Sequence, residues 1–510
     1  MGERVHKSIL NAEVNLLFYF LSLFFAFFSR KIFLDNLGAE FIGLTGTLNN
    51  ILGYLNLSEL GISACIGYFL FKPLQTGNRQ EIQEILSLLG YLYNWIGSII
   101  FIGAFTISLF FPFIFANAQL GLGIIYFAFY SFLGSSLIGY FINYRQILLG
   151  ADQKNYLVAI YYQSANLAKI ALQIFLAYTY KNLYVWVAVE FLFGIFGCII
   201  LNWKINKEYP WLKIDKNQGK HLLKKYPEVI TKTKQVFIHK IKDFVLFKSD
   251  ELFIFLFVSL KMVAYYGNYM IIVTKLTSLF TAVIGSVGAS VGNLVAEGDK
   301  DQMFKVFWEY TTILHTIAAF VSFSLYILLE PFIFHWLGAE YIIDHKILIL
   351  LIIYIYISTS RQSVDSFNYA HGLFADVWSA WAELIINVSV TIVCGLQWGI
   401  IGILLGKIVS LLPIVVLWKP YYLFTSGFTT SACTYWKDAT RNYAISVSAI
   451  STTLYIIQFV PLNPYLSIWE WMSYAVICIT IFLSIDITFT LLFAKGAKDS
   501  INRLTYITKK

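Results

Sequence analysis

Residues 11–31 read NAEVNLLFYFLSLFFAFFSRK, and at their centre FYFLSLFFAFF, residues 18–28, is apolar except for Tyr19 and Ser22. A helix needs about 20 such residues to cross the hydrocarbon core of a bilayer, so this run is long enough for one crossing. It follows Arg4 and Lys7, as a signal peptide would, but continues to Arg30 with no small-residue cleavage site. It is therefore read as a retained first transmembrane helix.

Outward from this run the same pattern recurs along the chain. Of the 510 residues, 58% are hydrophobic and 13% charged, with a mean hydropathy of +0.68. Soluble domains carry roughly a quarter charged residues, so a soluble fold is excluded. Apolar runs between polar or Gly/Pro-bearing breaks predict helices at 11–32, 42–70, 83–112, 122–149, 157–180, 184–203, 236–259, 265–292, 304–329, 345–370, 377–396, 399–418, 442–461 and 470–494. The predicted fold is an all-α integral membrane protein of about fourteen transmembrane helices. Its divisions are a six-helix lobe at 1–203, a basic loop at 204–235, a second six-helix lobe at 236–420, and two further helices with a tail at 421–510. The cysteines Cys65, Cys198, Cys394, Cys433 and Cys478 stand singly, without metal-ligand spacing, and read as free thiols.

The net charge of +8 is gathered in particular loops. No amphipathic or aromatic-interleaved basic patch is present, so nucleic acid is not an expected partner. With the N-terminus inside, loops on its side carry Arg4, Lys7, Lys72, Arg79, Lys154, Lys300, Lys305, Lys437 and Arg441, and the tail ends in Lys509 and Lys510. The opposite loops hold little beyond Lys31, Lys181, Lys261 and Lys346. The positive-inside rule then places both termini in the cytoplasm. The loop at 204–235, with lysines from Lys204 to Lys234, falls on the same side, either as a linker or as an interfacial segment drawn to anionic lipid headgroups. The halves also echo each other. Thr76-Gly77-Asn78-Arg79-Gln80 and Glu297-Gly298-Asp299-Lys300-Asp301 lie 221 positions apart, and Gly150-Ala151-Asp152 answers Gly372-Leu373-Phe374-Ala375-Asp376 at nearly the same offset. That spacing suggests two parallel six-helix repeats. LGAE occurs at 37–40 and again at 337–340, outside this offset.

Ionisable residues within the spans are candidate functional groups, because each is costly at mid-membrane unless paired or wetted. The cations Arg30, Lys31, Arg145, Lys275 and Arg361 suit an anionic substrate group such as a diphosphate, since Arg offers a planar fork and Lys a point charge. The acids Glu59, Asp250 and Glu383 suit either balance of those cations or binding of a coupling ion, Na+ or H+. For some of these a plain alternative exists. Lys31 and Arg145 lie near helix ends, where they can snorkel, and Asp365 lies one turn past Arg361 as a local i,i+4 partner.

SRKIFLDNLGAEFIGLTGTLNNILGYLNLSELGISACIGYFLFKPL, residues 29–74, resembles the N-terminal region of bacterial Wzx-type oligosaccharide flippases. Their superfamily also holds the multidrug (MATE) exporters and the lipid II flippases. The stretch from Asp250 through Gly267-Asn268-Tyr269 to Gly292-Asn293-Leu294, and HGLFADVWSAWAELIINVSVTIVCGLQWGIIGILLGKIVS at 371–410, resemble the same family. The resemblance implies a MATE-like fold of two six-helix lobes around a central cavity. It implies transport of an undecaprenyl-diphosphate-linked glycan from the inner to the outer leaflet of the bacterial inner membrane, with a polysaccharide polymerase as a further partner. The family's first-helix arginine matches Arg30, while Lys275 and Arg361 match approximately.

Rival classes are weaker. A polyprenyl-glycan-processing enzyme would place acids or histidines in a sizeable outer loop, and the largest here, near 330–346, is short; His371 reads as a loop residue. No GxxxxGK[ST] phosphate loop is present, so no nucleotide cofactor is expected. A MATE-like exporter of small organic cations would favour an acid-dominated interior, whereas the interior charges lean basic.

The topology is tested by Lys220→Cys in intact cells. The cysteine should resist an impermeant thiol reagent applied from outside, and rapid labelling would reverse the assignment.

Overall fold

In the computed structural model, residues 2–56, 62–152, 154–229, 233, 249–373 and 376–497 are described. Among them there is no β-strand, and the expected spans fall on helices. The first unit contains α1 (Gly2–Leu37), α2 (Ala39–Leu55), α3 (Ile62–Thr76), α4 (Arg79–Ser108), α5 (Leu122–Phe141), α6 (Ser164–Tyr180), α7 (Leu183–Glu208) and the short α8 (Gly219–Lys225). Of the seventh expected span, residues 249–257 are described and helical. Then follow α9 (Leu260–Glu297), α10 (Lys300–Trp336), α11 (His345–Ser360), α12 (Gln362–Ala370), α13 (Val377–Trp398), α14 (Ile400–Leu411), α15 (Ala432–Ile457) and α16 (Ile468–Phe493). Among the described residues, nine helices are long and apolar enough to cross a membrane. The chain divides into compact units Met1–Gly267 and Asn268–Lys510, so the boundary falls inside α9.

Helix ends depart from the hydropathy boundaries for a local reason. Backbone hydrogen bonding continues past the last apolar residue until a cap stops it. The third span, expected at 83, begins at Arg79 because Asn78 caps it, accepting from the Glu81 amide at 3.2 Å after Gly77 turns the chain at φ 70°. Asp299 does the same for α10, accepting from the amides of Asp301 and Gln302 at 3.1 Å after Gly298 at φ 79°. The two echoing segments are thus the same device, a left-handed glycine followed by an N-cap. α14 continues as π-helical turns over Leu412–Trp418 and Leu423–Gly427; Pro413 and Pro420 lack the amide that regular α-helix would use.

The second echo is also structural. In the first unit Asp152 accepts from Tyr209 Oη at 2.8 Å and pairs with Lys154 at 2.8 Å, which joins the turn after α5 to the end of α7. Lys154 also pairs with Glu208 at 2.9 Å. Burial alone would lower the Lys154 pKa, but its bonds to Asp152 and Glu208 outweigh burial and raise it. In the second unit one oxygen of Asp376 accepts from Ser379 Oγ at 2.9 Å, Trp418 Nε1 at 2.9 Å and Lys419 Nζ at 2.7 Å. Thus an aspartate before α6 ties that turn to the end of α7, and one before α13 ties its turn to the π-helical end of α14.

Aromatic packing fills the interior of each unit. Trp186 is met edge-on by Phe33 and Phe41, each at 5.5 Å. In the second unit Phe307, Phe367, Phe424, Phe428 and Tyr435 form one cluster, while Phe323 of α10 stacks on Phe482 of α16 at 4.5 Å. The last two helices therefore pack on α10. Phe20, Phe24 and Phe28 on α1, and Trp381, Ile385 and Leu396 on α13, are exposed, as lipid-facing positions would be.

Asp376→Ala should lower stability by about 2 kcal/mol, the range of a charge-assisted hydrogen bond. Lys419→Met should cost less, because Asp376 keeps Ser379 and Trp418. Thermal melting in detergent reads both, and an unchanged Asp376→Ala melt would refute the tether.

Candidate functional site

On α2, Gly43, Gly46, Asn50 and Tyr54 follow at intervals of three and four residues and so form one helical face. This face lies against residues 249–263. A Cβ at Gly43 would fall on the Leu260 carbonyl oxygen, and one at Gly46 would stand 3.3 Å from Glu251 Oε2. Only glycine at 43 allows that approach. Asn50 Nδ2 then donates to Glu251 Oε2 at 2.5 Å, while Tyr54 hydrogen-bonds with Ser249 and lies within electrostatic reach of Asp250.

Asp250 is buried and accepts from Tyr266 Oη at 2.9 Å. Two residues before Tyr266, the Ala264 carbonyl accepts from Arg30 Nη2 at 2.9 Å. Gly267 leaves room for that guanidinium, since a Cβ there would stand 3.1 Å from the same nitrogen. The first unit thus gathers Arg30 from α1, Asn50 and Tyr54 from α2, Asp250 and Glu251 from 249–257, and Tyr266 from α9. Of the sequence candidates, Arg30 and Asp250 come together here. Glu251, the acid next to Asp250 in the same apolar span, joins them, and so does Asn50, which was unforeseen because an uncharged side chain inside a span does not mark itself as a charge does. Lys31, one position on, is exposed. Glu59 lies outside the described residues.

Arg145 stands apart, in the turn Asn143–Arg145 after α5. Its fork donates from Nη1 to Asn206 Oδ1 at 2.8 Å and from Nη2 to Asn202 Oδ1 at 2.6 Å, two positions one turn apart on α7. Beside it the basic loop supplies Lys216, whose Nζ donates to Asn94 Oδ1 at 3.1 Å and to the Phe141 carbonyl at 3.2 Å. Lys216 also lies 4.9 Å from the centre of the Tyr144 ring. Burial, then the nearby Arg145 charge, push the Lys216 pKa down. Neither cation has a carboxylate partner among the described residues, so the pair is a locus of positive potential held by amides and a carbonyl.

The described part of the loop is docked along α4. Trp211 O accepts from Gln83 at 2.7 Å, Glu84 takes Lys225 at 2.5 Å and Tyr226 Oη at 2.6 Å, and Gly219 backs onto the Tyr91 ring. A linker reading from charge alone misses this packing.

In the second unit, Arg361 Nε and Asp365 Oδ2 are 3.2 Å apart, the local i,i+4 pair. Lys275 on α9 is half-buried. Glu383 on α13 and Lys407 on α14 are both buried in a tightly packed helix pair, where Gly406 lies against Asn387 and Thr391. Lys407 Nζ lies 4.8 Å from the Tyr354 ring centre. Among the described residues no group of three His, Cys, Asp or Glu is placed to hold a metal ion.

A multi-pass helical membrane protein with ionisable groups inside its apolar spans is the class defined by these features. The sequence matches no protein-family model and no curated protein. Among solved structures, the fold is shared with the lipid II flippase MurJ in its inward closed conformation, at TM-score 0.64 and 16% identity over 95% of this chain and 98% of that one. It is shared too with an inward-facing multidrug resistance MATE family transporter of the MOP superfamily, at TM-score 0.57 and 14% identity over 79% of this chain and 93% of that one. The MATE-like all-α membrane fold expected from the sequence is therefore the fold found.

Arg145→Ala should lower thermal stability by about 2 kcal/mol, since two charge-assisted bonds to α7 are lost. Lys31→Ala should leave the melt unchanged. Equal melts for both variants would show that the Asn202–Asn206 clamp carries no stability.

Proposed function

We propose that the chain is a Wzx-type flippase, moving a polyprenyl-diphosphate-linked oligosaccharide from the inner to the outer leaflet of a bacterial inner membrane for surface polysaccharide synthesis. The observation that carries the reading is the cluster in the first unit, where Arg30, Asp250 and Glu251 stand among apolar helices and are tied by Asn50, Tyr266 and the Ala264 carbonyl. Charges kept at membrane depth mark a polar path, and a lipid-linked substrate needs one for its headgroup alone because the tail can stay in the hydrocarbon. The fold shared with a protein described as a lipid II flippase supports the same substrate class.

Arg30, with Lys275, Arg361 and the interfacial Lys31 and Arg145, would engage the diphosphate. Asp250, Glu383 and Glu59 are the candidates to bind a coupling Na+ or H+. The two lobes would rock about the site, exposing it to one side at a time, with both termini cytoplasmic. A second reading, export of small organic cations, is favoured by the shared fold with a multidrug MATE transporter and by the paired acids Asp250 and Glu251.

Loss of one charge-assisted bond worth roughly 1.5–3 kcal/mol should weaken engagement by about ten-fold to a hundred-fold. Arg30→Gln should therefore impair flipping with the protein still inserted and abundant, while Arg30→Lys should recover part of it, keeping the charge without the planar fork. The readout is lipid-linked glycan reaching the outer leaflet, normalised to protein in the membrane. Full activity in both Arg30→Gln and Arg361→Gln would sink the diphosphate clamp, and cation export retained in those variants would favour the exporter.

A further inference from the structure

Asp486 lies in α16, within a span otherwise free of charge between Glu470 and Lys495. One turn back Phe482 stacks on Phe323 of α10, and a further turn back Cys478 is buried with Ala319 of α10 and Ala449 of α15. Asp486 itself is 0% exposed, and neither of its carboxylate oxygens has a hydrogen-bond partner among the described residues.

Among the described residues, Asp486 forms no ion pair. Tyr356 of α11 lies within electrostatic reach. Its Oη donates to Ser446 Oγ of α15 at 2.9 Å and lies 2.9 Å from His315 Nδ1 of α10. With the phenol proton committed to Ser446, Nδ1–H is the donor to Oη, which fixes that tautomer. The His315 ring is closed off by Tyr443 of α15, at 4.9 Å and 90°. On α16 itself the neighbouring titratable groups are Tyr474 and Cys478. Of the charged groups on the packed helices, Asp438 pairs with Lys495 at 2.8 Å and Arg441 at 3.7 Å, Glu330 pairs with His345 at 2.9 Å, the buried Glu309 lies at the end of α10 that meets Gly496, and Lys300, Asp301, Lys305 and Lys437 stand in the first turns of α10 and α15.

An isolated carboxylate in such surroundings neutralises instead of standing as an anion. A hard cation would need on the order of six oxygen ligands; Phe482, Phe323, Ala319 and Cys478 offer none, and the Tyr356 and Ser446 hydroxyls, two oxygens in all, are bonded to each other. A proton needs one carboxylate oxygen. We propose that Asp486 is a proton-binding site, carrying its proton in this conformation and releasing it to water when the α15–α16 pair is wetted. On the flippase reading, and only there, that proton is a coupling ion; proton occupancy itself does not depend on the reading.

Infrared difference spectra of the purified full chain at neutral pH test occupancy. The wild type should show a carboxylic-acid carbonyl band that Asp486→Asn loses, Asp486→Glu shifts and Asp438→Asn leaves in place. Isotope-labelled aspartate should shift the same band in the wild type, which tests for a protonated aspartate even if a variant fails to fold. No acid band in the wild type, or a band that survives in Asp486→Asn, overturns the proposal. For coupling, an imposed pH gradient should accelerate wild-type flipping, and Asp486→Asn should lose the acceleration while keeping gradient-free exchange. An undiminished gradient response in Asp486→Asn removes the coupling role, whereas failure of the wild type to move lipid-linked glycan under any gradient counts against the flippase reading and leaves the proton site standing.

Discussion

A hydrogen-bonding group without a partner in hydrocarbon costs several kcal/mol, and in this chain the backbone meets that demand first. Helices carry their own bonds, so they can run long, and where proline removes an amide the chain widens into π-turns as at Leu412–Trp418. Side chains meet the same demand in small closed groups: Asn143, Cys198 and Asn202 among themselves, Gln173 and Lys169 on Glu190, Ser379, Trp418 and Lys419 on Asp376. Among the described residues, Asp486 has neither carboxylate oxygen in such a group.

The echo between the two halves lies in the turns. Gly77-Asn78 and Gly298-Asp299 restart the chain with one geometry, and Asp152 and Asp376 each hold the end of a later helix in their own unit. The acceptor is common to the two tethers while the donors differ, phenol in one and indole in the other. Each unit is braced by its own residues.

Much of the fold was legible because it rests on one local rule, apolar length between polar or glycine-bearing breaks. The helical spans, the turns between them and the all-α class follow from it. Helix ends were less legible, since caps such as Asn78 and Asp299 extend a helix beyond its apolar stretch. The candidate site was legible where a charge inside a span announces itself, as for Arg30, Asp250 and Glu383. It was not where meaning depends on a partner brought from far along the chain. Asn50 matters through Glu251, 201 positions away, and Lys216, which sequence assigns to a linker, lies beside Arg145 because the loop folds back on α4. Arg361 turned out to hold the local partner its spacing offered, Asp365.

The close approach of Gly43 to the Leu260 carbonyl has a mechanical consequence. Rolling α2 about its axis by one residue would bring Ile42 or Leu44, in place of glycine, against that oxygen, and neither side chain fits where even a Cβ collides. The helix therefore has a single permitted facing on its neighbour, like a key with one slot. While it stays this close to the start of α9, α2 cannot roll beside Asp250 and Glu251.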